Sequence, residues 1–124
     1  MGTDGTFYES WNAAELPIED VDWEHRGEYI QTRSSRRPGD HDIAPEWATE
    51  AAHDVSRLVA APDPTSKSGK TIRVVGQSIT LNRVLVVILL PKAAIADGRW
   101  WGVNAWLAGT RETRLYFGPE GGIA

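Results

Sequence analysis

Hydrophobic positions recur at helical spacing in the first half of the chain and at strand spacing in the second. Over 23–34, Trp23, Tyr29 and Ile30 can share one helical face while Arg26 and Arg33, seven apart, lie on another. Gly27 is the weak point of that helix. Residues 34–42, punctuated by Pro38-Gly39, read as an exposed loop. A second helix starts at Pro45, which suits the first helical position. Glu46 and Glu50 favour its positive end, and Trp47, Ala51, Val55 and Leu58 form one stripe before Pro62-Asp63-Pro64 stops it.

Beyond a polar connection at 65–70, three runs read as strands: 72–79, 84–90 and 99–107, with turns at 80–82 and 94–98. Strands in succession without intervening helices predict an antiparallel meander. Alternation along the third strand puts Trp100 and Trp106 on one face and Trp101 on the other. One of those faces is core, and the other is free to stack on a base or cover a partner protein. Thr110 is placed to cap a short C-terminal helix carrying Arg111, Glu112, Arg114 and Tyr116, which Gly118-Pro119 ends. The predicted fold class is therefore α+β: a small antiparallel sheet of three or more strands, N-terminal helices packed on one face, and a short C-terminal helix.

Composition narrows the classes. A chain of 124 residues, 41% hydrophobic, has the size of one domain. With no cysteine, disulfides, thiolate zinc sites and cysteine nucleophiles are excluded, and a reducing, cytoplasmic location fits best. The longest charge-free apolar run, 84–91, is far short of the ~20 residues that span a bilayer, so no membrane segment is expected. Asp4, Glu9 and Glu15 stand where a secretory leader is basic.

Charge is unevenly placed. Residues 1–25 hold seven acids and no Lys or Arg, leaving all 13 basic residues against ten acids in 26–124. An acidic arm, 1–22, thus precedes a mildly basic domain, 23–124. Phe7, Tyr8, Trp11, Leu16, Ile18 and Val21 make that arm too apolar for a free tail, so part of it should pack. It can also lie across a basic face and compete with a polyanion.

Several chemistries are excluded. Gly69-Lys70-Thr71 is not a phosphate loop, because Pro64 stands where that pattern needs glycine and a strand, not a helix, follows. His25, His41 and His53 are spaced too widely for a metal-ligand motif, and neither metal nor cofactor is expected. No Gly-x-Ser-x-Gly elbow occurs. Arginines remain: Arg26, Arg33, Arg36 and Arg37 around the first helix, Arg73 and Arg83 flanking the first hairpin, Arg111 and Arg114 in the last helix. They suit a solvated surface, and equally phosphate, whose oxygens match the guanidinium fork. Metal-free RNA cleavage needs a base for the 2′-hydroxyl proton, a cation for the developing charge and an acid for the leaving oxygen. Glu, His, Tyr and Arg can supply all three.

An ordered set of segments carries a family resemblance: 40–51 (Asp40-His41-Asp42 through Glu50-Ala51), Asp63-Pro64, Arg73-Val74-Val75-Gly76-Gln77-Ser78, the apolar 85–89, Val103-Asn104-Ala105-Trp106-Leu107-Ala108, and Glu112-Thr113-Arg114-Leu115-Tyr116. Over roughly 23–117 this resembles the BrnT-type toxins of bacterial toxin-antitoxin pairs, small RelE-like ribonucleases. The resemblance implies a RelE-like fold and a metal-independent endoribonuclease that acts on RNA and is neutralised by a cognate antitoxin protein. By position, His41, Arg83 and Glu112 become the catalytic candidates, and Arg33, Arg37, Arg73, Arg111, Arg114 and Tyr116 the substrate-binding ones. Where the family usually has Ser-Ala-Arg-Arg-Ala, this chain has Asn104-Ala105-Trp106-Leu107-Ala108. A second reading stays open: an interaction module that keeps the fold without the chemistry and binds another protein or itself as a homodimer through its tryptophans.

Overall fold

A computed structural model describes Tyr8 and residues 12–123, with side chains to residue 118. Asp4, Phe7, Glu9 and Trp11 of the acidic arm lie outside the described residues. The fold is α+β. Five strands, β1 (Asp20–Asp22), β2 (Leu58–Ala60), β3 (Ile72–Ser78), β4 (Arg83–Pro91) and β5 (Arg99–Leu107), form one sheet in the order β1-β5-β4-β3-β2. The helices are α1 (Gly27–Gln31), α2 (Arg33–Arg36), α3 (Pro45–Ala52) and α4 (Thr110–Ile123).

The expected meander is present as β3, β4 and β5, antiparallel throughout. β4 lies at its centre, where both faces are covered, and Val84 to Ile88 are all buried. That double burial explains an unbroken apolar run in place of alternation. Two short edge strands complete the sheet: β2 antiparallel to β3, and β1 parallel to β5. Neither was expected from the sequence. β1 belongs to the acidic arm, whose Leu16 and Ile18 enter the main core beside Trp100, and the Trp100 indole donates to Pro17 O at 2.8 Å.

The helices depart from their predicted lengths for local reasons. The helix expected over 23–34 breaks at Thr32. Its hydroxyl donates to Glu28 O, while Asp42 accepts from both the Ser34 N–H and hydroxyl, so side-chain bonds divert the backbone. α3 starts at Pro45 as predicted, and stops at Ala52 instead of running toward Leu58. Asp54 ends it, accepting from the Ser56 and Gln77 N–H groups and turning the chain so that Leu58 pairs with Val75. The buried stripe is accordingly Ala48, Ala51 and Ala52, and Val55 is exposed. Those small residues let α3 approach β3 so closely that a Cβ on Gly76 would sit 2.0 Å from Ala51 O. α4 bends at Gly118, whose φ of 75° is open to glycine.

Helices cover the two faces unequally. α3 and Ile30 of α1 bury one face over Ile72, Val74, Leu85, Val87, Leu89 and Trp100. On the other face Tyr116 of α4 packs against the cluster of Val75, Val84, Val86 and Ile88. The C-terminal helix thus covers the face opposite α1 and α3. Trp101 and Trp106 also lie together on this second face. A β-bulge opposite Ile88/Leu89 leaves Val103 unmatched, which reverses the alternation between Trp101 and Trp106. Trp100 alone of the three points into the main core.

Candidate functional site

β1 ends at Asp22, opposite Trp101, so the outer edge of β5 continues without a strand partner. The first helical segment meets that edge: the Arg26 Nε donates to Val103 O at 3.1 Å, and an Arg33 terminal nitrogen donates to Asn104 Oδ1 at 3.1 Å. The Arg26 side chain thus satisfies a carbonyl on an edge that backbone pairing leaves open. These side chains also bring a row of cations to the second face.

Between the α1–α2 segment, the 37–41 loop and the end of β5 lies an open cleft of about 570 Å³. Tyr29, Arg33, Arg37, His41, Asn104 and Trp106 face it. Arg33 is largely buried and ion-paired with Asp40 at 3.0 Å. Arg73 is paired at 2.8 Å with Asp63, which is nearly buried and also accepts from the Thr65 hydroxyl. Both guanidiniums flank the Trp106 ring, with their carbons 5.9 and 5.7 Å from its centroid. Arg26 and Arg36 stack on Tyr29 at 3.9 and 4.0 Å. Cation and aromatic ring therefore alternate along this surface, each holding the other's orientation.

Arg33 and Arg73 are charge-compensated. Among the described residues, Arg26, Arg36 and Arg37 have no ion pair within 4 Å. Arg37 and His41 are exposed, and the His41 Nδ1 lies 3.1 Å from Asp42 O, leaving Nε2 toward solvent. Hydrogen bonds from the Ser34 N–H and hydroxyl hold the Asp42 carboxyl below its ordinary pKa, so it stays an acceptor that ties the 40–42 loop to α2.

Of the sequence candidates, His41, Arg33 and Arg37 come together in this cleft, and Arg73 reaches it through Trp106. Arg83 lines a separate, smaller hollow of about 120 Å³ with Gln77, Asn82 and Thr113. Glu112 lies beside Gly109 in the first turn of α4, and Arg111 and Arg114 are exposed on that helix. The Tyr116 hydroxyl is committed to Asp54, in a short hydrogen bond. Burial, then that bond and the Asp54 charge, push the Tyr116 pKa up to about 12. At Asp54 burial opposes ionisation, yet the Tyr116, Gln77 and Ser56 donors together hold its pKa below the usual carboxylate value. This pair fastens α4 to the edge of β3.

Tyr29, Asn104 and Asp40 were not singled out from the sequence as site residues. The stripe was visible in the chain, since Arg26, Tyr29, Arg33 and Arg36 recur at steps of three, four and three. Alternation already puts Asn104 on the face of Trp106, two residues on, but nothing in the sequence set it apart as a site residue. Among the described residues, no group of three or more His, Asp and Glu is placed to hold a metal, and no helix is long and apolar enough to cross a membrane. The chain matches no known protein-family profile and no curated protein.

Proposed function

We propose that this protein is a toxin-like, metal-independent endoribonuclease of RelE-like fold, neutralised by a small antitoxin, and that it holds RNA in the His41 cleft. One observation carries the reading: an imidazole, an unpaired guanidinium and two cation-flanked aromatic rings share one open hollow. Arg37 binds the scissile phosphate and offsets the charge that builds on it. The His41 imidazole removes the 2′-hydroxyl proton. That oxygen attacks the adjacent phosphorus, the bond to the 5′-oxygen breaks, and the leaving oxygen is protonated by water in the open cleft. The products are a 2′,3′-cyclic phosphate and a free 5′-hydroxyl. Tyr29 and Trp106 offer ring faces to the flanking bases.

The test is cleavage of a labelled RNA by the full chain in the presence of EDTA. Wild type cuts. His41→Ala loses about 10²- to 10⁴-fold, the usual scale for a general base, and Arg37→Ala loses activity as well, with both variants folded. Arg83→Ala keeps its activity, because Arg83 lines the other hollow. Loss in Arg83→Ala with normal cutting by His41→Ala moves the site to the α4 end. The ion pairs of Arg33 and Arg73 favour a second reading, since they satisfy two of the cations internally. A folded protein that cuts no RNA and binds a protein through the same face is then the non-catalytic interaction module.

A further inference from the structure

We infer that the hollow around Trp101 is a second position on the same surface that takes an unpaired base of single-stranded RNA. The inference rests on the RNA reading of the His41 cleft. The hollow, about 580 Å³ in volume, is walled by Leu90, Trp101, Gly102 and Val103, with His25 and Arg26 at its rim. Lys92 lies over the Trp101 ring at 4.2 Å, oriented by its ion pair with Asp22 at 2.8 Å. The His25 ring is 4.6 Å from the indole and tilted by 42°. His25 is exposed and has no hydrogen bond among the described residues, so it can swing aside for a planar ligand.

Arg26 joins this hollow to the first cleft. Its Nε is used by Val103 O and its plane stacks on Tyr29, while its terminal nitrogens have no protein partner among the described residues. It is therefore fixed in orientation, with donors free for a phosphate between the two positions. Trp101 and Trp106 are five residues apart on one strand, one of them in the bulge, and face the same way, so they are about four strand steps apart, roughly 13 Å at ~3.3 Å per residue. The bulge creates this spacing of two rings on one face. The occupant needs repeated negative charge and flat faces at intervals. Single-stranded RNA has both, whereas a duplex presents its phosphates and hides its base faces. An acidic peptide matches the charge without the regular planes.

The experiment measures binding of labelled 2′-O-methyl oligouridines, which lack the attacking hydroxyl, as a trinucleotide, hexanucleotide and nonanucleotide. Wild type should gain affinity with length. Trp101→Leu should lose about tenfold on the longer oligonucleotides alone, the scale of one stacked base, and Trp101→Phe should retain most of the gain. Arg37→Ala should weaken all lengths. If Trp101→Leu binds every length as wild type does while Arg37→Ala does not, this inference falls and the His41 cleft stands. If no oligonucleotide binds, both fall, and the hollow belongs to a protein partner. Should Trp101→Leu not fold, ultraviolet crosslinking of 5-iodouridine oligonucleotides to the wild-type chain decides. Crosslinks assigned to Trp101 by fragmentation support the second position, and crosslinks confined to Tyr29 or Trp106 overturn it.

Discussion

Trp100 and Trp106 lie on the same strand, and their surroundings could hardly differ more. Trp100 is fully buried beneath the N-terminal segment, among Leu16, Ile18 and Leu89, with its indole N–H satisfied by Pro17 O. Trp106 is partly exposed on the opposite face, between two guanidiniums that are each tied to a carboxylate. The first arrangement removes an aromatic from water and fixes the fold. The second leaves an aromatic partly in water and holds it between two largely buried, ion-paired guanidiniums. One residue type is thus sealed into the core on one face and left partly in water on the other, and the covering layer decides which.

The sharpest way to break that comparison is to truncate both rings and measure urea denaturation. Trp100→Ala should cost about 3–5 kcal/mol, the usual range for deleting a buried tryptophan. Trp106→Ala should cost roughly 1–2 kcal/mol, because part of its surface already lies in water. Equal losses would mean that the second face is as structural as the first.

The next test concerns the fastening of α4. Asp54→Asn should destabilise by about 1–2 kcal/mol, somewhat below the range for fully buried charge-assisted bonds because the group is partly exposed. The sign with pH follows from the lowered pKa of Asp54. Its contribution is fully present above the ordinary aspartate value of about 4 and is lost as pH falls through the lower folded value. The Tyr116 contribution runs the other way. It is complete below the ordinary tyrosine value of about 10 and disappears as pH rises through about 12. Stability against pH for wild type, Asp54→Asn and Tyr116→Phe checks both limbs. A wild-type advantage over Asp54→Asn that persists undiminished in strong acid would show that the carboxylate charge plays no part.

The smallest expected effect sharpens the contrast from the functional side. Arg37 is exposed and has no ion pair among the described residues. Arg37→Ala should therefore leave the unfolding free energy within about 0.5 kcal/mol of wild type while weakening the RNA binding proposed for the His41 cleft. A larger loss of stability would place Arg37 in the fold instead of the site.

Much of this was legible along the chain. The three meander strands, the start of α3 at Pro45 and the turn at 80–82 follow from local residue chemistry, and there the expectations match the structure. Asn82 adopts a φ of 57°, which its short polar side chain tolerates. The arginine and tyrosine stripe at 26–36 is present as spacing, but the helical period assigned Tyr29 to the face of Trp23 and Ile30, and the structure stacks it with Arg26 and Arg36 instead. β1 and β2 were not legible, because three-residue edge strands are made by the partner that pairs with them and carry little pattern of their own. The early end of α3 escaped for a related reason. Its apolar stripe runs on to Leu58, yet Asp54 finds the Gln77 N–H on the neighbouring strand, and that bond turns the chain.

By itself, then, the sequence determined the class of fold, the central apolar strand, the helix start, and the supply of arginine, histidine and tryptophan from which a site is assembled. Period and turn chemistry are local, so they can be read from neighbours in the chain. Tertiary structure alone decided which of those residues meet. A bulge at Val103 carried Trp101 to the face that holds Asn104 and Trp106, the open edge of β5 drew in Arg26, the Asn104 side chain drew in Arg33, and the 40–42 loop set His41 beside Arg37. The bulge and the contacts of Arg26 and Arg33 join residues far apart in sequence, and no local pattern records where such partners will stand.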